Sequence, residues 1–250
     1  MVVFLTGASS GIGEALARHY AADGATLGLV ARRADLLENL RQSLPSGADT
    51  YAADVRDLGA LKAAAADFIA KHGAPDLVIA NAGISHGTLT EHAEDVDVFR
   101  QVLDINVIGM VGTFHPFIAA MRKAGRGTLA GVASVAGYRG MPGAGAYSAS
   151  KAAAINYLES LRVELRGTGV KVVTICPGYI ATPMTEKNPY PMPFIIPADD
   201  FAQRFARALR AGKDFAVIPW QMAIVARLLA ILPNALFDAA FSKAGRKPRK

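Results

Sequence analysis

The sequence predicts one doubly wound α/β domain, with a seven-stranded, mainly parallel sheet and helices on both faces. Three observations lead to this prediction. Apolar, β-rich runs alternate with helical patterns along most of the 250 residues. The connections between these runs are short and contain Gly or Asp, and no obvious linker divides the chain. Apolar residues make up 52% and charged residues 19% of the chain, which is typical of a globular protein with a large core.

The alternating pattern assigns each element in order. Strands are predicted near residues 2–6, 27–31, 49–53, 76–80, 127–133, 170–176 and 214–218. Helices are predicted near residues 11–23, 34–43, 57–71, 94–123, 147–166 and 198–211, followed by a terminal helix from about 219 and a second apolar helix over 234–241. Because the crossovers between parallel strands are right-handed, the carboxyl ends of the strands meet at one edge of the sheet, where ligands bind.

The first strand runs into a glycine-rich turn, Gly7-Ala8-Ser9-Ser10-Gly11-Ile12-Gly13, and a helical pattern starts directly after it. Glycines allow the backbone to approach a pyrophosphate, and the N-terminus of the helix stabilises its negative charge. The spacing differs from the better-known Gly-x-Gly-x-x-Gly fingerprint. The strand–turn–helix context nevertheless favours a dinucleotide site over a merely tight turn.

Tyr147 and Lys151 lie four residues apart in a predicted helix and therefore share one face. A cation beside a phenol favours the phenolate and lowers the pKa of the tyrosine, which suits acid–base chemistry. Solvated helix faces also have such pairs by chance. The pair alone is therefore a weak signal, and its meaning depends on the other motifs.

The motifs occur together in a recognisable order: Thr6-Gly-Ala-Ser-Ser-Gly-Ile-Gly13, Asn81-Ala82-Gly83, Asn106, Ser134, Tyr147-x-x-x-Lys151 and Pro177-Gly178. In this order the sequence resembles the short-chain dehydrogenases/reductases from residue 2 to about residue 220. The resemblance implies a Rossmann-type catalytic domain over residues 1–218, with a substrate loop at about 183–197. Residues 219–250 would form an apolar helical extension with a basic tail, within the same domain.

The resemblance also implies a role for each catalytic residue. Tyr147 would be the proton donor in reduction and the base in oxidation, and Lys151 would lower its pKa and hold the nicotinamide ribose. Ser134 would hydrogen-bond the substrate oxygen. Asn106 would support a water that links Lys151 to solvent, although an Asn within a helix can equally bridge backbone groups across a kink.

The predicted cofactor is NADPH in preference to NADH. An NAD site usually has an acidic residue after the second strand, whereas this chain has Arg32 and Arg33, whose guanidinium groups match a 2′-phosphate. Arg32 is preferred because it aligns with the family's acidic position. Asp54 resembles the residue that binds the adenine, and it could also cap a helix. The complete predicted cofactor set is Gly7, Ser9, Ser10, Gly11, Ile12, Gly13, Arg32, Arg33, Asp54, Val55, Asn81, Ala82, Gly83, Tyr147, Lys151, Pro177, Gly178, Ile180 and Thr182.

The predicted function is the interconversion of an apolar ketone and its secondary alcohol by hydride transfer. The loop after Thr182 is rich in Met, Tyr, Phe and Ile, which favours an apolar substrate, unless these side chains pack back on the core. The alternative function is an NADP(H)-binding sensor or membrane-surface scaffold in which turnover is incidental. An intact set of Asn106, Ser134, Tyr147 and Lys151 favours the enzyme, since sensing needs no proton donor.

Charge and cysteine content bear on nucleic-acid binding, on the cellular compartment and on metal binding. The last nine residues contain five basic side chains and account for most of the formal net charge of +6, so the chain has a basic tail and no basic stripe for nucleic acid. We expect this tail to be a solvated, frayed terminus. The lone Cys176 ends an apolar run and is expected to be a buried structural thiol in a cytoplasmic protein. No metal-ligand spacing occurs, so no metal site is predicted.

The apolar segment at the end of the chain has three interpretations. Residues 218–232 are nearly uncharged, but they are too short to span a membrane comfortably. They could pack on the core, face a partner subunit, or lie in a bilayer interface at the inner membrane surface with the basic tail over anionic lipids. Core or subunit packing is preferred over peripheral membrane contact through residues 219–250. The resemblance implies a homodimer or homotetramer, formed through the long helices near 94–123 and 147–166.

Overall fold

A computed structural model describes residues 1–186 and 188–249. Lys187 of the predicted loop and Lys250 of the predicted tail lie outside the described residues. The strands are β1 (Val2–Thr6), β2 (Thr26–Ala31), β3 (Asp49–Ala52), β4 (Leu77–Ala80), β5 (Thr128–Val132), β6 (Lys171–Pro177), β7 (Ile180–Ala181), β8 (Ile196–Pro197) and β9 (Phe215–Ile218). The helices are α1 (Gly11–Ala22), α2 (Ala34–Ser43), α3 (Leu58–His72), α4 (Asp95–Leu103), α5 (Gly109–Ala124), α6 (Gly145–Glu164), α7 (Ala198–Arg210), α8 (Gln221–Ile231) and α9 (Asn234–Phe241).

The main sheet has seven strands in the order β3-β2-β1-β4-β5-β6-β9, and every neighbouring pair is parallel. Strand order reverses between β1 and β4, so the first half of the chain builds one side of the sheet and the second half builds the other. The predicted fold class is confirmed. The reversal opens a crevice above the carboxyl ends of β1 and β4, where open α/β sheets bind their ligands.

Two hydrophobic cores cover the two faces of the sheet. Alternating side chains of β1 point to opposite faces, so Leu5 belongs to the core under α1, α2 and α7, whereas Phe4 belongs to the core under α3, α5 and α6. The Phe4 ring lies 5.3 Å from the Phe68 ring and 4.7 Å from the Phe117 ring, measured between centroids. Cys176 is fully buried in the same core, as expected for a structural thiol.

The helix predicted over 94–123 is present as one helical stretch, Asp95–Ala124, but it is not regular throughout. A π-helical turn, Asp104–Ile108, separates α4 from α5. Asn106 lies in this turn, so the widened turn coincides with one of the predicted site residues. By length and composition the stretch Asp95–Ala124 could cross a membrane, but Phe114 and Phe117 of α5 are fully buried against the sheet, as in a core helix.

The predicted substrate loop leaves the sheet after β6 and is closed at its base by a small parallel ladder. Ile180 pairs with Ile196, and Ala181 pairs with Pro197. Within the described part of the loop, Met184, Phe194 and Ile195 remain between 42% and 50% exposed. These apolar side chains therefore do not pack back on the core, which was the alternative to a role in a substrate pocket.

The C-terminal helices pack on the domain with one face only. Met222 and Ala226 of α8 are buried, and the helix contacts β9 and the short 3-10 turn that follows β5. The opposite face exposes Trp220, Ile224, Leu228 and Ile231. Packing on the core therefore accounts for the apolar side chains on one face of α8 but not for those on the exposed face. The axis of α9 is bent by 117° relative to α8.

The basic tail does not fray in its described part, so that expectation was wrong. Arg249 forms ion pairs with Glu94 and Asp95, and the backbone next to it pairs with Gly87. Lys247 donates a hydrogen bond to Ser85. The tail therefore returns to the domain and lies near the carboxyl edge of the sheet.

Candidate active site

A single cleft at the carboxyl edge of the sheet collects the predicted site residues. Its lining includes every predicted residue except Asn106, namely Gly7, Ser9, Ser10, Gly11, Ile12, Gly13, Arg32, Arg33, Asp54, Val55, Asn81, Ala82, Gly83, Ser134, Tyr147, Lys151, Pro177, Gly178, Ile180 and Thr182. Side chains that were not predicted, Ile84, Val132 and Met184 among them, complete its walls. The predicted residues therefore meet at the carboxyl edge of the sheet, as expected for parallel strands.

The glycine-rich turn is shaped for close backbone approach. A methyl group on Gly13 would overlap the carbonyl oxygen of Gly7, so no larger residue fits where α1 begins. Asn81 ties the turn to β4, since its Nδ2 donates to Thr6 O at 3.1 Å and to Gly7 O at 3.2 Å. The first amide groups of α1 consequently face the cleft, and the turn fits the pyrophosphate of a dinucleotide.

The two arginines after β2 have different surroundings. Arg33 Nη2 donates to Ser9 Oγ at 3.2 Å and to Ser10 Oγ at 2.9 Å, so it lies over the glycine-rich turn. Arg32 is exposed, and its Nη1 lies 3.7 Å from Asp54 Oδ2. Sequence reasoning preferred Arg32, but Arg33 is the residue whose guanidinium joins the hydroxyl groups of the turn. This cluster of donors fits a phosphate dianion.

Asp54 does not cap a helix. Its carboxylate accepts hydrogen bonds from Arg56 Nη2 at 2.7 Å and from Arg56 N at 2.9 Å, and these bonds hold the pKa of Asp54 below its usual range. The residue that caps α3 is Asp57, which accepts from Ala60 N at 2.9 Å. The capping alternative was therefore wrong. Asp54 lines the cleft with a carboxylate already paired with Arg56, a residue that the sequence analysis did not select.

Tyr147 and Lys151 lie in the first two turns of α6 and share the face that lines the cleft. Lys151 is only 4% exposed, and its Nζ donates to Val132 O at 2.9 Å. Burial lowers the pKa of Lys151 to about 8. The ammonium lies 5.7 Å from the centroid of the Tyr147 ring. An ammonium this poorly solvated is balanced by backbone carbonyl dipoles and not by a carboxylate.

The pKa of Tyr147 moves opposite to the expected direction. Burial raises it above its usual range, and hydrogen bonding with Ser134 lowers it in part. Lys151 is not among the groups that shift the pKa of Tyr147, and its ammonium donates to the Val132 carbonyl. Ser134 Oγ accepts from Ala136 N at 3.1 Å, which leaves its own proton for another acceptor. Tyr147 is thus held as a neutral phenol, the form that donates a proton.

Asn106 is fully buried beneath the cleft, and its side chain is committed to protein groups. Its Oδ1 accepts from Ile84 N at 2.8 Å, and its Nδ2 donates to Ile84 O at 3.0 Å and to Ser150 Oγ at 2.9 Å. The bridging interpretation of Asn106 is therefore the one that its amide fulfils. Ser150, to which the sequence analysis gave no role, also donates to Tyr147 O at 2.7 Å.

The strand β6 and the loop after it form the wall opposite the glycine-rich turn. Thr182 lies against Gly11, where an added methyl group would contact its side chain at 3.2 Å. Gly178 packs against Met222, so α8 supports this wall from behind. Among residues 1–186 and 188–249, no cluster of three or more His, Cys or acidic residues is arranged to hold a metal ion.

Comparisons with known proteins agree with this geometry. A family model described as short chain dehydrogenase matches residues 1–191. An uncharacterized oxidoreductase of Myxococcus xanthus is 38% identical over 239 residues, which cover 94% of each protein. A short chain dehydrogenase from Burkholderia cenocepacia in complex with NADP has a TM-score of 0.82 at 25% identity and covers 96% of both chains. A short chain dehydrogenase/reductase from Burkholderia phymatum in complex with NAD shares the fold, with a TM-score of 0.83 at 23% identity over 100% of this chain and 97% of that chain.

Replacing Lys151 with Met is expected to remove a pH dependence of stability. The pKa of Lys151 falls from its usual value to about 8 in the folded protein, a difference of roughly 3 kcal/mol. Between about pH 8 and about pH 10 the unfolded chain binds a proton that the folded protein does not, so this lysine makes stability rise with pH. The Met variant lacks that rise, because it has no titrating group at this position.

Urea unfolding of the natural protein and of Lys151→Met at several pH values over this range measures the effect. Lys123→Met, at an exposed position on α5, is the matched control. As pH rises, the free energy of unfolding of the natural protein should increase relative to that of Lys151→Met. The difference in free energy of unfolding between the natural protein and Lys123→Met should stay constant. A constant difference for Lys151→Met would contradict a desolvated ammonium.

Proposed function

The chain belongs to the short-chain dehydrogenase/reductase family of oxidoreductases, and from that premise we propose that it is an NADPH-dependent enzyme that interconverts a ketone of apolar body and its secondary alcohol. The observation behind this proposal is the cleft in which Tyr147, Ser134 and Lys151 lie beside a turn that fits a dinucleotide. Family members act on CH–OH or carbonyl groups. The position of these three side chains supports the same chemistry here.

The chemistry follows from how charge moves in a carbonyl reduction. Bound NADPH supplies a hydride to the carbonyl carbon, which places negative charge on the oxygen. The free proton of the Ser134 hydroxyl is available to hydrogen-bond that oxygen, and the Tyr147 phenol gives it a proton. Lys151 lies beside this pair, with its ammonium 5.7 Å from the centroid of the Tyr147 ring. In the oxidation of an alcohol the same groups act in reverse.

The surroundings of the two arginines support NADPH over NADH. Arg33 lies between the hydroxyl groups of Ser9 and Ser10, and Arg32 adds a second guanidinium at the same end of the cleft. A 2′-phosphate needs cations and donors of this kind, whereas a ribose 2′-hydroxyl needs an acceptor. The acceptor nearby, Asp54, is already bonded to Arg56. Related folds are solved with either dinucleotide, so the preference rests on these contacts.

An apolar substrate body is supported by the walls near Tyr147. Ile84 and Met184 line the cleft on this side, and Phe194 and Ile195 are exposed in the loop beyond it. A sensor or scaffold would need the dinucleotide turn but not this arrangement. The buried phenol with Ser134 beside it therefore favours turnover over sensing.

Replacing Tyr147 with Phe should abolish turnover while nucleotide binding remains. Removing the phenolic proton donor is expected to lower kcat/KM by about 100-fold to 10,000-fold for carbonyl reduction, with little change in the Kd for NADPH. The loss of NADPH absorbance across a panel of apolar ketones measures the rate. Tyr157→Phe, on the same helix but outside the cleft, is the control. Tight NADPH binding without turnover of any carbonyl by the natural protein would favour the sensor hypothesis.

Replacing Arg33 with Ala should weaken the binding of NADPH more than the binding of NADH. Loss of a charge-assisted contact to the 2′-phosphate is expected to raise the KM for NADPH by about tenfold or more and to leave the KM for NADH within about twofold. Arg32→Ala should have a smaller effect, because Arg32 does not contact the glycine-rich turn. Arg41→Ala, on the outer side of α2 and paired with Glu38, is the control. An equal loss for both nucleotides would count against the preference for NADPH.

We further propose that the chain forms a homodimer or homotetramer. Apolar side chains are exposed on both long helical segments, with Val96 on α4 and Val163 on α6 as examples. The exposed face of α8 is a second candidate contact, since Leu228 is 59% and Ile231 78% exposed. An apolar face of this size is usually covered by another surface.

A double change of Leu228→Glu and Ile231→Glu should shift the protein to a smaller species if this face joins subunits. Sedimentation velocity measures the species, and unchanged kcat per site would show that the domain is intact. The control, Leu58→Glu with Ala70→Glu, adds the same two charges at exposed positions of α3, away from α8. Natural protein that floats with anionic vesicles, and loses this ability in the double variant without a change in assembly, would instead favour the membrane interface.

A further inference from the structure

The end of the chain packs against loops that adjoin the cleft. We define the C-terminal strap as residues 244–249. Gly87 N donates to Pro248 O at 3.0 Å, and a methyl group on Gly87 would overlap the Lys247 carbonyl oxygen. On its other sides the strap approaches Gly143, in the loop before α6, and Tyr190, in the loop after β6. It therefore lies among the three loops that follow β4, β5 and β6.

An ion pair with a buried acid holds the strap in place. Arg249 Nε lies 2.8 Å from Asp95 Oδ2, and Arg249 Nη2 lies 2.7 Å from Glu94 Oε1. Asp95 is only 4% exposed and also accepts from Leu89 N at 2.7 Å. Without the guanidinium this carboxylate would be buried with a single donor, which is costly. The position of the strap is thus fixed by a strong, specific contact.

Lys247 is bound differently from Arg249. Its Nζ donates to Ser85 Oγ at 3.0 Å and lies 3.5 Å from Met184 O, both of which are uncharged acceptors. Within the described ranges, no carboxylate lies within ion-pair distance of it. Burial lowers the pKa of Lys247, and no acid opposes that effect. The ammonium is therefore partly desolvated and has no charged partner among residues 1–186 and 188–249.

The two acceptors of Lys247 place it on the substrate side of the cleft. Met184 lines the same cleft as Tyr147, and Ser85 directly follows Ile84, which also lines it. An ammonium has three donor positions, so two neutral acceptors leave one for a ligand. The dinucleotide turn lies next to Thr182, and it has its own cations in Arg32 and Arg33. A negative group at Lys247 would therefore belong to the substrate.

We propose that Lys247 is a substrate-binding residue that pairs with a carboxylate, so that the natural substrates are oxo acids or hydroxy acids. This inference rests on the proposed function and deepens it. The apolar body of the substrate would lie against Met184 and Ile84, its carbonyl at Tyr147, and its carboxylate at the strap. Specificity would then come from the last residues of the chain, which Arg249 holds in position.

Binding can be measured without turnover. The full-length protein is saturated with whichever oxidised nucleotide it binds more tightly, and a series of oxo acids of increasing length is titrated by calorimetry beside their methyl esters. At least one acid is expected to bind about tenfold or more tightly than its ester, the effect of one charge-assisted hydrogen bond. This preference should disappear in Lys247→Met and persist in Lys247→Arg. Lys243→Met, an exposed change close to the strap, should keep it.

The outcomes separate this inference from the proposed function. If no acid is preferred over its ester, or if the preference survives in Lys247→Met, Lys247 does not bind a substrate carboxylate. Turnover of neutral ketones that depends on Tyr147 would leave the reductase intact in that case. Conversely, acid binding that is lost in Lys247→Met, in a protein that reduces none of the series, would support the carboxylate site and contradict the reductase.

Discussion

One fully buried amide connects the segments on which the candidate active site depends. Asn106 bonds both backbone groups of Ile84, in the loop after β4, and reaches Ser150 in α6. Ser150 in turn bonds the carbonyl of Tyr147. To reach both partners the helix between α4 and α5 widens into a π turn. A buried network of this kind is stable only when every member is satisfied, so it fixes the first turns of α6, and with them Tyr147 and Lys151, relative to the sheet.

The charged side chains of the molecule fall into two groups. Most cations with a structural role face carboxylates, as Arg56 faces Asp54 and Arg249 faces Asp95. Lys151 and Lys247 are partly or wholly desolvated, and within the described part of the chain they bond only neutral oxygens. A charge left without a partner by the fold lowers stability, and such charges concentrate at functional sites. Lys151 lines the cleft, and Lys247 bonds Met184, which also lines it, so both lysines are candidates for contact with a negatively charged group.

The sequence predicted the fold and the location of the site because both follow from local patterns. Apolar runs predict the strands, and parallel strands bring their carboxyl ends together. The positions of Ser134 and Asn81 at the site could therefore be predicted without information on tertiary contacts. The errors concern contacts between distant residues. The π turn contains Asn106, which bonds Ser150 in another helix, and the docked tail pairs Arg249 with Asp95. The helix cap was misassigned to Asp54 because the cap is set by where α3 begins. The helix begins at Leu58, so the cap is Asp57, three residues further along the chain.

The two halves of the cleft are built by different physical means. The dinucleotide half depends on backbone geometry: at Gly13 there is no room for a side chain, and the amide groups of α1 are aimed by the helix itself. The substrate half depends on side chains of segments outside the sheet, namely the loop around Met184 and the C-terminal strap. Backbone geometry tolerates little change, whereas a strap held by one ion pair can be altered without disturbing the core. Under the proposed function, the reaction is set by the fold, and the choice of substrate by the segments added to it.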